Sequence, residues 1–231
     1  MKKDFSQFEK AVGVTFKDKG LLTTAYTHRS YLNEQKNETG KHNERLEFLG
    51  DAVVELVVTD FLFKKYPDKN EGELTSYRAA LVNAITLSEV ASELKMNDYL
   101  LLSKGEAKDT GRARQYILAN TFEAVVGAIY LDQGYDVVRD FIDNNLFHRT
   151  DEIVAKRLWQ DAKSYFQEKA QDEVSQTPAY KIIHESGPDH DKMFTVGVFL
   201  RNEMVAEGKG KSKQEAEQKA AEKALEKKGW N

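Results

Sequence analysis

The chain has 231 residues, no cysteine and a net charge of −4, which excludes disulfide bonds, thiolate-held metals and cysteine nucleophiles. Its hydrophobic fraction of 40% and charged fraction of 31% are ordinary for a globular protein with a buried core. Residues 1–150 carry 20 basic and 23 acidic side chains, and residues 151–231 carry 14 and 15, so net charge alone disfavours a nucleic-acid partner. No run of about 18 apolar residues could span a membrane, and the N-terminus leads into no apolar signal core, so we expect a cytoplasmic protein.

Up to about residue 148 the pattern is helical throughout. Apolar side chains recur at spacings of three and four residues, as in Leu87, Val90 and Leu94, which is the period of an amphipathic helix. Segments rich in proline, aspartate and asparagine, such as 67–70, break this pattern. We therefore predict that the first part of the chain is all-α.

The helix predicted after Asn43, a good N-cap residue, carries an acidic stripe. At about 100° per residue, four carboxylates fall within roughly 80° of one another: Glu44, Glu47, Asp51 and Glu55. A different face, which we expect to be the core side, gathers Leu46, Leu49, Val53 and Leu56. Neighbouring carboxylates repel each other, and a divalent cation such as magnesium would turn that repulsion into ligation.

A solvated acidic face is the simpler explanation of this stripe taken alone. Phe48, however, lies just beyond the edge of the stripe. A phenylalanine beside carboxylates fits a subunit contact next to a site, and packing of Phe48 in the core is the alternative.

A second helix, predicted over residues 117–131, is apolar on nearly every side and should be buried. Its strongly polar residues are Asn120 and Glu123, three positions apart on one face. A buried carboxylate needs a compensating partner, which would be an arginine in a structural ion pair or a metal ion. If this face meets the acidic stripe, the two helices together form a metal site.

The pattern changes after about residue 150. Residues 151–171 still favour a helix, and three strand-like segments follow at 179–184, 193–200 and 203–207, rich in β-branched and aromatic residues. A last helix over 212–228 has alanines at four-residue spacing on one face. This order predicts a small α+β (α-β-β-β-α) domain.

We accordingly place the domain boundaries at 1–148 for the all-α domain and 158–229 for the α+β domain, with a linker over 149–157.

Residues 42–52 (HNERLEFLGDA) closely resemble the signature of bacterial ribonuclease III. The C-terminal part resembles a double-stranded-RNA-binding domain, including residues 208–213 (GKGKSK). The further matching segments are 27–30 (THRS), 71–74 (EGEL) leading to Arg78, and 118–127. The resemblance covers almost the whole chain in the expected order.

This resemblance implies a magnesium-dependent endonuclease, with manganese as a substitute metal, that acts on double-stranded RNA as a homodimer. Staggered cuts would leave 5′-phosphate and 3′-hydroxyl ends, and the expected role is processing of ribosomal and messenger RNA precursors. The metal site implied consists of Glu47, Asp51, Asn120 and Glu123, of which Asp51 and Glu123 are also catalytic.

Three further residues have roles implied by the resemblance. Glu44 matches another acid of the signature, and Glu71 matches an acid that lines the RNA valley. Phe48 would be the apolar plug into the partner subunit.

In the C-terminal domain, the resemblance implies that Gln167, Glu168 and the loop 187–190, including His190, meet the grooves of the RNA. Phosphate contacts are expected from Lys209, Lys211 and Lys213, at or just before the start of the last helix, where the helix N-terminus also attracts phosphate. Such domains recognise the shape and 2′-hydroxyls of A-form RNA.

The chain departs from the family pattern at two positions. Asn120 stands where the family commonly has aspartate; its amide oxygen can bind magnesium but brings no charge, so we expect weaker metal binding. Gln214 stands where the RNA-binding family often has lysine, which removes one phosphate contact.

A basic segment of the first domain has two open explanations, an RNA-backbone contact or a mobile solvated loop. Its cationic residues are Lys104, Lys108, Arg112 and Arg114.

Two other functions remain open at this level. One is a catalytically weakened RNA-binding regulator in which Asn120 impairs the nuclease site. The other is a phosphohydrolase of small phosphoesters, which would leave the C-terminal domain without a purpose.

Overall fold

The computed structural model describes residues 3–34, 40–155, 159, 161–188 and 192–230. Contacts divide the chain into two compact units, residues 1–159 and 160–231. Among the helices so described, none is long and apolar enough to cross a membrane.

The first unit is helical, which confirms the all-α prediction. Its helices are α1 (Ser6–Val12), α2 (Lys19–Ala25), α3 (Arg29–Glu34), α4 (Glu44–Lys65), α5 (Glu71–Leu81), α6 (Ala84–Glu93), α7 (Arg112–Gln133), α8 (Tyr135–Leu146) and α9 (Thr150–Ala155). In the described part of this unit three short 3-10 turns lie between these helices, and α4 and α7 are each 22 residues long.

Helices α4 and α7 approach each other at two glycines. A Cβ atom added to Gly50 would lie 1.7 Å from the carbonyl oxygen of Glu123, and one added to Gly127 would lie 2.3 Å from the carbonyl oxygen of Leu46. Because no side chain fits in either gap, the two backbones contact each other directly. This contact fixes which residues of α4 face which residues of α7.

Two predictions about α4 are wrong in detail. The helix begins after Asn43 as expected, but Asn43 has helical dihedral angles and its side chain makes no cap hydrogen bond; instead its backbone N–H donates to the carbonyl oxygen of Thr27. Leu56, expected in the core, is 57% exposed, because the α4 residues that face inward are those around the α7 contact, including Val53, Val54 and Val57.

The segment expected to be a linker, 149–157, contains helix α9. Ile153 on α9 belongs to the buried core of the first unit, and that burial explains why the segment is helical up to Ala155. Residues 156–158 lie outside the described residues.

The second unit has the predicted order of elements. These are α10 (Ala162–Val174), β1 (Ala179–Ser186), β2 (Met193–Leu200), β3 (Glu203–Gly210) and α11 (Lys213–Lys228). The strands form an antiparallel sheet in the order β1-β2-β3, and the core between sheet and helices includes Phe166, Val198 and Val205.

Strand β3 extends to Gly210 rather than ending at Glu207. The additional residues fit there because a Cβ atom at Gly208 would lie 2.2 Å from the carbonyl oxygen of Ala216, so the strand packs backbone to backbone against α11. The alanine face of α11 is fully buried, as predicted, at Ala216, Ala220 and Ala224.

Candidate active site

The contact between α4 and α7 brings three carboxylates into one electrostatic group. Burial, together with the negative charges of Asp51 and Glu47, raises the pKa of the Glu123 carboxyl from its usual value to about 8. The pKa of Glu47 is also raised, first by burial and then by the neighbouring charges of Glu44 and Asp51. These effects require the three acids to lie near enough to one another for their charges to interact.

Asn120 belongs to the same group. Its side-chain amide donates a hydrogen bond to the Glu47 carboxylate, which lowers the pKa of Glu47 and partly offsets the repulsion around it. Asn120 therefore occupies the place, one turn before Glu123 on α7, that the sequence pattern indicated.

No cation balances the centre of this group in the part of the chain that the structure describes. The ion pairs of the acidic stripe lie at its two ends, where Glu44 contacts Arg29 and Glu55 contacts Arg78. The arginine ion pair considered for Glu123 is not formed among these residues, so no arginine compensates its carboxyl group when it ionises.

The arrangement is an open set of oxygen ligands rather than a closed cage. Over the described ranges, no three histidine or acidic side chains are grouped closely enough to hold a metal ion as they stand. The donor set nevertheless suits magnesium, because it consists of carboxylate and amide oxygens that lack cationic partners.

The supporting acids differ in their surroundings. Glu44 lies 3.5 Å from Arg29 and 3.8 Å from the Nδ1 atom of His42. Glu71, the first residue of α5, is exposed and accepts a hydrogen bond from the Thr75 hydroxyl at 3.1 Å. The structure thus places Glu44 beside the central acids, and it shows no contact between Glu71 and them.

Phe48 does not pack in the core, since 81% of its side chain is exposed. It borders a groove of about 1020 Å³ whose apolar lining includes Leu21, Leu49 and Leu131. An exposed phenylalanine next to an apolar groove favours the subunit-contact explanation over core packing.

The apolar surface continues along α4 beyond Phe48. Leu56 and Phe63 are 57% and 70% exposed, and at 100° per residue both lie within about 80° of Phe48 on the helix. We did not identify this stripe from the sequence, although the same helical arithmetic that grouped the acids would have found it.

The basic segment of the first unit is partly structural. The Arg114 guanidinium donates to the carbonyl oxygens of Glu106 and Asp109 at 2.6 and 3.2 Å, and to the Asn97 side chain at 2.9 Å. These bonds contradict the mobile-loop explanation for Arg114, which holds the turn before α7 together, and the RNA-backbone contact stays a prediction. Arg112 packs against the ring of Tyr116.

In the second unit, Gln167 and Glu168 are exposed on α10. Lys209 lies near the end of β3, four residues before the last helix, and Lys213 is the first residue of α11. His190 lies outside the described residues.

Phe194, an aromatic side chain missed from the sequence, contacts one of these lysines, Lys213, and also Lys192. The Nζ atoms of Lys192 and Lys213 each lie 5.8 Å from the centre of the Phe194 ring, within the range of a cation–π contact. Lys211 lies between β3 and α11, and its backbone N–H donates to the Glu215 carboxylate at 2.8 Å.

Comparison with known protein families identifies the family to which the first unit belongs. The family model described as ribonuclease-III-like matches residues 18–150, more than half of the chain. The chain belongs to the ribonuclease III family. A second model, the double-stranded RNA binding motif, matches residues 162–228 and so covers the second unit.

Relatives of similar length support the assignment to the ribonuclease III family. The chain is 44% identical to the ribonuclease 3 of Protochlamydia amoebophila over 208 residues, covering 90% of this chain and 85% of that protein. It is 46% identical to the ribonuclease 3 of Geobacillus thermodenitrificans over 222 residues, covering 96% and 90%.

A solved structure supports the fold of the first unit. The nuclease domain of ribonuclease III from Campylobacter jejuni matches with 38% identity and a TM-score of 0.56, covering 62% of this chain and 98% of that domain.

Proposed function

We propose that this protein is an endonuclease that hydrolyses phosphodiester bonds of double-stranded RNA and leaves 5′-phosphate and 3′-hydroxyl ends by staggered cuts. The observation that carries the proposal is the group of three neighbouring carboxylates, Glu47, Asp51 and Glu123, without a cation among the described residues. The RNA-binding motif in the second unit supports double-stranded RNA as the substrate.

Magnesium, or manganese in its place, would be held by Glu47, Asp51 and Glu123 together with the amide oxygen of Asn120. When bound, the metal supplies an activated water and neutralises charge that develops on the phosphate. Asp51 and Glu123 are the acids to which we assign the catalytic role. The Asn120 amide lies beside the Glu47 carboxylate and lowers its pKa.

One assay separates the nuclease from its alternatives. A labelled RNA duplex is incubated with the protein in magnesium or in a chelator, and cutting and binding are followed separately. Cutting that needs magnesium supports the nuclease. Binding without cutting supports the weakened regulator, which the neutral side chain of Asn120 favours; neither cutting nor binding would point to small phosphoesters.

The effect of Asn120 is testable by Asn120→Asp. The aspartate adds a fourth negative charge and removes the hydrogen bond to Glu47, so we expect the magnesium concentration for half-maximal cutting to fall about three- to tenfold. In a chelator the added repulsion should lower the melting temperature. An unchanged magnesium midpoint would show that residue 120 does not contribute to metal binding.

We further propose that the active form is a homodimer in which Phe48 of each subunit enters the groove of the other. The exposed stripe of Phe48, Leu56 and Phe63 supports this proposal, since apolar surface of this extent is costly in water. The similar nuclease domain from Campylobacter jejuni is described as structurally flexible in a region involved in dimer formation.

Replacing Phe48 by glutamate tests the dimer. Burying a charge where an aromatic anchor belongs should raise the dimer dissociation constant about 100-fold or more, as measured by analytical ultracentrifugation. Ile85→Glu is the matched control, because Ile85 is 59% exposed on α6 and does not line the groove. Equal dissociation constants for the two variants would refute the proposed contact.

In the second unit, Gln167, Glu168 and His190 would meet the RNA grooves, while Lys209, Lys211 and Lys213 would contact phosphates.

We also propose processing of ribosomal and messenger RNA precursors in the cytoplasm as the cellular role.

A further inference from the structure

The acidic stripe of α4 has an arginine at each end. Arg29 of α3 places its Nη1 atom 3.5 Å from Glu44, and Arg78 of α5 places its Nε atom 3.0 Å from Glu55. Within the described ranges, no other arginine or lysine forms an ion pair with the acids of the stripe. The positive charges therefore flank the central acids instead of neutralising them.

Arg78 is held in a defined orientation. Besides the Nε contact with Glu55, its Nη1 atom donates to the Thr59 hydroxyl at 2.9 Å, so two residues of α4 one turn apart fix one guanidinium. About a third of the side chain, 32%, stays exposed. A guanidinium has five N–H donors in a rigid plane, and two contacts leave donors for an anion.

Stabilisation of the fold is a weak explanation for these arrangements. Exposed ion pairs contribute about 0–1 kcal/mol each, whereas α4 is already fixed by the backbone contact between Gly50 and Gly127. An RNA strand, by contrast, is a polyanion that the central carboxylates would repel. Positive charges at both ends of the stripe would offset that repulsion and leave the centre free for a metal.

We propose that Arg29 and Arg78 bind backbone phosphates of the RNA on either side of the phosphate to be cut, and so determine which phosphate lies over the central acids. Glu44 and Glu55 are eleven residues apart, which is about 16 Å along the helix, so the two arginines span several phosphates of a strand. This inference rests on the proposed function, because it assumes that the acids act on RNA.

The test uses the full chain, a labelled RNA duplex and magnesium, at two salt concentrations. For Arg29→Gln and Arg78→Gln we expect KM to rise about fivefold each, with a larger effect on KM than on kcat. The slope of log KM against log salt should decrease by about one for each arginine removed. Arg139→Gln is the matched control: Arg139 contacts two acids of α8, Asp136 and Asp140, and should change neither quantity.

A structural role for Arg78 would give a different result. It would lower the melting temperature in Arg78→Gln and leave the salt slope as in the parent, which would overturn the inference. Arg78→Lys keeps the charge and should restore the salt slope; failure to do so would also count against it. If the parent does not cut the duplex, the proposed function fails instead, and the two failures are thus distinguishable.

Discussion

Replacing Glu123 by glutamine is expected to abolish RNA cutting and at the same time to make the protein more stable. Glutamine keeps the shape and the oxygen atom of the side chain but removes its charge, so we expect cutting to fall roughly 1000-fold or more. The measurement is the rate of duplex cutting at saturating magnesium.

The gain in stability follows from the raised pKa of Glu123. Because the folded protein holds the proton up to about pH 8 while the unfolded chain releases it near the usual glutamate value, stability is lost as the pH rises between these two values. Above pH 8 the folded protein holds Glu123 as an ionised carboxylate, and its free energy of unfolding is lowered by the full cost of burying that charge. The glutamine variant avoids this cost, which is on the order of 2 kcal/mol after allowance for partial exposure.

Thermal unfolding in a chelator checks this part of the prediction. The melting temperature of Glu123→Gln should exceed that of the parent by about 4–8 °C at pH 8.5, and by little at pH 5. Asp143→Asn, which changes an exposed acid of α8, should alter neither cutting nor melting. A variant that loses activity and stability together would indicate that Glu123 is a structural residue.

An acid that lowers the stability of the folded protein is conspicuous in an apolar helix, and the site could therefore be partly predicted from the sequence. Helical spacing groups Glu47 with Asp51. Glu123 stands out because it is an acid in an otherwise apolar helix, which supplies no partner for it. Each of these patterns can be recognised within a single helix, the first in α4 and the second in α7, and both appear in the structure as expected. The roles of these residues remain a proposal.

What could not be predicted depends on contacts between elements. Periodicity assigns a residue to a face but does not say which helix that face meets, so Leu56 was expected in the core and lies in the exposed stripe with Phe48. Arg29 and Arg78 come from α3 and α5, and their positions beside α4 follow from the tertiary fold. The end of β3 depended likewise on Gly208 packing against α11, a contact that spacing along the strand does not show.

The second large effect is expected at Gly50, which has no side chain that could bind a metal or an RNA. In Gly50→Ala the new Cβ atom would meet the Glu123 carbonyl oxygen at 1.7 Å, a backbone atom that cannot rotate away. The helices α4 and α7 would have to separate, at a cost of about 3 kcal/mol. A separation of more than about 1 Å would move Asp51 relative to Glu123 and lower the cutting rate about 100-fold.

Gly72→Ala provides the control for this substitution. Gly72 is exposed on α5, and a Cβ atom there would lie 3.4 Å from the Asn70 side chain, an ordinary contact. Alanine should stabilise that helix by about 0.5–1 kcal/mol and leave cutting unchanged. If Gly50→Ala melts and cuts like Gly72→Ala, the close approach of α4 and α7 does not set the geometry of the site. If it folds but needs far more magnesium, the helix contact is what holds the oxygen ligands within reach of one ion.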